Sequence, residues 1–114
     1  MESAKRKELM NAYRNKQVVG GVYCVTCNGN QHRWLRSSVD MEGAKSRFAF
    51  SVKTKSAPEP AMRDAWMQYG IESFSFDVLE ELKKGETQTA QEFAADVKAL
   101  LEMWQEKEAQ ENLG

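Results

Sequence analysis

Polar and apolar residues alternate most regularly in FSFDVLEEL, where Phe74, Phe76 and Val78 are separated by Ser75 and Asp77. That period of two predicts a strand with one buried face. From Thr89 the period lengthens: Phe93, Val97, Leu100, Leu101 and Trp104 recur at helical spacing, and Glu92, three residues after Thr89, completes a capping box. The spacing predicts a long amphipathic helix that frays after Lys107, with KKGE as the turn before it.

Upstream the elements are shorter. Residues Ala4 to Lys16 predict a helix capped by Ser3, with Leu9, Met10 and Tyr13 as its apolar stripe. Gly20 and Gly21 end that pattern. VYCVTC follows as a β-branched and aromatic strand that closes at Asn28-Gly29, a dipeptide suited to a two-residue hairpin loop. Such a loop pairs Cys27 with Asn30, Val25 with His32 and Tyr23 with Trp34, and it stacks Tyr23 on Trp34. A cross-strand aromatic pair stabilises a hairpin by ~0.2 to 1 kcal/mol. Met41, Ala44, Lys45, Phe48 and Val52 then recur at helical spacing behind caps among Ser37 to Asp40, although Gly43 and the alternating FAFSV run weaken the pattern. After the connection SAPEP, Pro60 opens a helix that carries Met62, Trp66 and Tyr69 and stops at Gly70.

The order helix, strand, strand, helix, helix, strand, helix predicts an α+β fold, a small three-stranded antiparallel sheet flanked by helices with an extra N-terminal helix. Residues 1–17 are expected to form that helix and residues 18–114 the rest of a single domain. The length suits this: 114 residues with 41% hydrophobic side chains make one modest core. MESAKRKELM has no apolar segment of a signal peptide, and no run reaches the ~18 apolar residues of a membrane helix. These features predict a cytoplasmic protein with no membrane partner.

Charge changes the picture only when the chain is divided. Residues 1–55 hold 11 Lys and Arg against 4 Asp and Glu, and residues 56–114 hold 5 against 13. A basic half can meet phosphates, whereas two complementary halves of one domain need no ligand. Within the basic half, Arg33, Arg36, Lys45, Arg47, Lys53 and Lys55 flank Tyr23 and Trp34 and would make a phosphate groove with an aromatic platform. The plainer alternative is solvated charges around two partly buried rings. Cys24 and Cys27 form C-x-x-C with His32 nearby, but an odd separation within a strand sends the thiols to opposite faces and argues against a shared metal. Glu80, Glu81 and Glu86 read as a solvated strand end and turn.

Gly21-Val22-Tyr23, then the hairpin, then Trp34-Leu35-Arg36-Ser37-Ser38 resemble, in order, the two motifs of GIY-YIG nucleases. AMRDAWMQYGIESFSFDVLEEL is similar to the helix and third strand of small stand-alone bacterial members, and the resemblance spans roughly residues 18–106. It implies metal-dependent phosphodiester hydrolysis, with two tyrosines, a phosphate-holding arginine and a metal-binding glutamate. Tyr23 keeps the first tyrosine. The second falls on Trp34 and its glycine on Arg36, the arginine falls on Ala44, the histidine often found a turn later on Phe48, and the glutamate on Leu101 or Glu102.

An indole cannot supply a phenol's proton chemistry, and phosphodiester cleavage needs its charge stabilisation and Lewis acid together. The expectation is therefore a catalytically degenerate GIY-YIG-like module without a cofactor, binding nucleic acid or protein through Tyr23, Arg33, Trp34, Arg36, Lys45, Arg47 and Lys53. The alternative is an active endonuclease using Mg²⁺ or Mn²⁺, with Tyr23, Arg47 and Glu102 as its rebuilt catalytic set. A third reading is a protein-interaction or self-associating domain that uses the Trp66 helix or the acidic last helix.

Overall fold

The computed structural model describes residues 17–113, and the helix expected over Ala4 to Lys16 lies outside them. Three strands, β1 (Val19–Cys27), β2 (His32–Ser38) and β3 (Phe74–Lys83), form an antiparallel sheet in the order β2-β1-β3. Helix α1 (Met41–Thr54) follows β2. A 3₁₀ turn (Pro60–Met62), helix α2 (Arg63–Tyr69) and a second 3₁₀ turn (Ile71–Ser73) lead into β3, and α3 (Ala90–Leu113) follows it. The α+β class and the helix-flanked three-stranded sheet are as expected.

Period-two burial divides β1 between two cores. Tyr23, Val25 and Cys27 share one face with Trp34, Phe74 and Phe76, where Met62 and Trp66 of the α2 region and Phe48 of α1 pack on them. Val22, Cys24 and Leu35 occupy the opposite face, which α3 covers with Phe93 and Val97. Cys24 and Cys27 are both buried, free and on opposite faces.

Local chemistry fixes the ends. Asp40 caps α1, its carboxylate accepting from the Gly43 N–H at 3.1 Å. Thr89 and Glu92 form the expected capping box: the Thr89 N–H donates to the Glu92 carboxylate at 2.9 Å, and the Glu92 N–H donates to Thr89 Oγ1 at 3.1 Å. Helix α3 continues past Lys107 to Leu113, contrary to the expected fraying. Two contacts hold the C-terminal half of this helix on the sheet: Arg33 pairs with Glu108, and the Trp104 indole N–H donates to Glu80 at 2.9 Å.

The hairpin differs from expectation. Cys27 pairs with His32, Val25 with Trp34 and Tyr23 with Arg36, so the loop is Asn28 to Gln31 and has four residues instead of two. Gln31, not Asn28 or Gly29, takes the left-handed conformation, at φ 62°. Gly29 is needed for a different reason: the Tyr69 ring lies across it and occupies the space of a Cβ. The Asn28 backbone and side-chain N–H groups both donate to the Ser73 carbonyl, at 2.7 and 3.0 Å, tying the loop to the start of β3. The shift of two residues keeps Tyr23 and Trp34 on one face but separates them, and Tyr23 stacks on Phe76 instead.

Candidate functional site

The site begins with a glycine. At Gly21 β3 comes so close that a Cβ would run into the Glu80 carbonyl, and the backbone there has φ 147°. Directly after it the β1–β3 register shifts between Val22 and Tyr23, leaving Leu79 without a partner on β1. This irregularity bends the strand locally next to Tyr23, as a bulge does.

Tyr23 is half-buried, its ring stacked on Phe76 with centroids 4.7 Å apart. On the neighbouring α1, Ala44 is buried and Phe48 packs into the same core, which turns Arg47 toward the phenol. The connection before α2 contributes Pro58 and Glu59. These elements enclose a cavity of about 100 Å³ whose polar lining is Tyr23, Arg47 and Glu59, with Val25, Met62 and Phe76 among its apolar lining.

Charges around the phenol are arranged in a definite order. Arg36 holds Glu59 through two nitrogens, Nη2 at 2.5 Å and Nε at 3.0 Å, a forked geometry that fixes both groups. Arg47 has no ion pair among the described residues. Burial pushes the Tyr23 phenol above its ordinary value and the Glu59 carboxylate adds to that, while Arg47 and Arg36 oppose it. At neutral pH the phenol is therefore a proton-bearing hydrogen-bond donor beside an uncommitted guanidinium.

Comparison with protein-family models, curated proteins and solved structures finds no match.

The structure divides the expected residues into two sets. Tyr23, Ala44, Arg47 and Phe48 line one cavity, so the positions where the family resemblance places a tyrosine, an arginine and a histidine do converge. Trp34 does not belong there. It is 9% exposed, inside the core between His32 and Phe74, and cannot serve as an open stacking platform. Arg33 lies on the face covered by α3: partial burial opposes its charge, while Cys24 and Glu108 more than restore it. Arg36 is at the site but occupied by Glu59. Lys45 and Lys53 are exposed on α1.

Glu102 is exposed on α3, across the sheet from Tyr23, so Tyr23, Arg47 and Glu102 do not meet. Among the described residues no three His, Cys, Asp or Glu side chains gather as a candidate metal centre. None of the described helices is long and apolar enough to cross a membrane. Sequence reasoning missed Glu59, because its role depends on Arg36, 23 residues away, and nothing in SAPEP signals that contact.

Proposed function

We propose that the chain is a GIY-YIG-like module that binds a phosphodiester backbone at the Tyr23–Arg47 cavity without cleaving it. One observation carries the reading: Tyr23, Ala44 and Phe48 line a single cavity with Arg47, while Glu102 lies on the far side of the sheet. The chemistry follows from the groups present. The neutral Tyr23 phenol donates to a phosphate oxygen, and Arg47 offers a planar, always-charged fork that matches phosphate geometry. Glu59 would repel an anion if free, but Arg36 offsets its charge and holds it in place.

Hydrolysis demands more than this set provides. A Lewis acid at the phosphate needs oxygen ligands, and the carboxylate lining this cavity is already engaged by a guanidinium. Nucleic acid as partner and a cytoplasmic setting belong to the same proposal.

The test is incubation of the purified protein with single-stranded, duplex and branched DNA and with RNA, in Mg²⁺ or Mn²⁺, scoring binding and cleavage together. Salt-dependent binding without cleavage, weakened about tenfold or more by Arg47→Ala and less by Tyr23→Phe, is the expected result. Metal-dependent cleavage that Tyr23→Phe abolishes would replace this reading with that of an endonuclease. Binding to none of the nucleic acids would move the function to a protein partner.

A further inference from the structure

A second, larger cavity opens next to the first. It measures about 800 Å³ and lies between the outer side of α1 and the segment that follows it, lined among others by Arg47, Phe50, Thr54, Ser56 and Pro58. Arg47 and Pro58 line both cavities, so the two adjoin at these residues. Phe50 is 65% exposed, while Ala44, Phe48 and Ser51 of the same helix supply its buried or core-packed side. Its ring therefore has no packing role that explains an aromatic residue at that position.

The neighbours of Phe50 say what would cover it. Arg47, Phe50 and Lys53 are each three residues apart, which puts their side chains next to one another along the helix surface. Lys45, Arg47, Lys53 and the capping Lys55 face a single acidic residue, Glu42, over the same stretch. A cation–aromatic–cation ridge of this kind suits a polyanion with flat faces and is poorly suited to an apolar protein surface. The groove also carries hydroxyls. Ser51 and Thr54 donate theirs to the carbonyls of Arg47 and Phe50, and the exposed Thr54 oxygen keeps its lone pairs as acceptors. Ser46 and Ser56, also in the lining, have no side-chain hydrogen bond among the described residues.

We infer that Phe50 stacks an unpaired base of a single-stranded nucleic acid whose phosphate is held by Arg47 and Tyr23, so that the module selects single strands over duplex. This rests on the proposed phosphate-binding role of the Tyr23 cavity and adds the strand class to it. In a duplex both faces of each base are occupied by neighbouring bases, whereas a single strand presents a free face to an aromatic ring. Stacking tolerates any base, because every base has a flat face.

The experiment is fluorescence anisotropy with three labelled probes, an oligothymidylate, an abasic strand of the same length and charge, and a duplex. Wild-type protein should bind the oligothymidylate about tenfold tighter than the abasic strand and prefer it to the duplex. Phe50→Ala, at an exposed position outside the core, should lower binding of the oligothymidylate to that of the abasic strand. It should leave abasic binding and its salt dependence unchanged. Equal binding of base-bearing and abasic strands by the wild type, or full affinity in Phe50→Ala, would overturn the base-stacking inference while Arg47→Ala still reports on the phosphate site. If no probe binds, the phosphate-binding reading falls and this inference falls with it.

Discussion

Tyr23 is the residue whose ionisation the surroundings shift through the most groups on the cavity side of the sheet. Its phenol is pushed up first by burial and then by Glu59, against the pull of Arg47 and Arg36, so ionising it costs more in the folded chain than in the unfolded one. A group raised in the folded state contributes stability that is complete below its unfolded value, near 10 for a tyrosine, and lost as pH climbs through the higher folded value. Denaturant unfolding from pH 9 upward should therefore show a loss of stability above pH 10 that is smaller in Tyr23→Phe. Parallel curves for the two proteins would mean that Tyr23 ionises as freely folded as unfolded. Tyr23 and Arg47, which line one cavity, were legible as candidates because each carries chemistry in its own side chain. Glu59 was not, since a carboxylate in a proline-bearing connection has no pattern until Arg36 is placed against it. Trp34 failed in the opposite way: its aromatic surface suits a stacking platform and a core equally, and here the core takes it.

Among the elements, those with repeating patterns were readable and the loop was not. The strand over Phe74 to Lys83, the helix behind Pro60 and the capping box at Thr89 follow from periodicity and local hydrogen bonding, which act within a few residues. The hairpin loop is decided by contacts that arrive from far along the chain. Asn28-Gly29 suggests a tight turn, yet Asn28 is drawn to Ser73 and Gly29 is pressed under Tyr69, and the reversal spreads over four residues. Gly29 is thus a packing position. Gly29→Ala should then destabilise the protein by about 1 to 3 kcal/mol through overcrowding. In a Tyr69→Ala background, with the ring gone, the same substitution should cost much less, and a double-mutant cycle by urea denaturation measures the difference. An undiminished cost in that background would assign Gly29 a backbone role instead.

At the scale of the whole molecule, the sheet works as a partition. The basic residues that lie together in the first half of the sequence do not share a surface: Arg33 faces α3 and pairs with Glu108, whereas Arg47 stands beside Tyr23 on the other side. Sequence could show that the half is basic, but only strand register decides which side chain goes to which face, because alternate residues of a strand point opposite ways. The acidic excess of the second half is divided in the same manner, with Glu59 at the site and Glu102 and Glu108 on the helix behind it. Under the proposed function, electrostatic binding should respect that partition. Each phosphate contact contributes about one to the slope of log affinity against log salt. Arg47→Ala should therefore lower the slope by about one for a single-stranded probe, while Arg33→Ala and Glu102→Gln leave it unchanged. Arg33→Ala would still register in a melt through the loss of its ion pair, which separates a stability role from a binding role in one protein. Were Arg33→Ala instead to reduce the slope as much as Arg47→Ala, the bound strand would have to pass around the sheet to the α3 side, and the Tyr23 cavity would no longer be its principal seat.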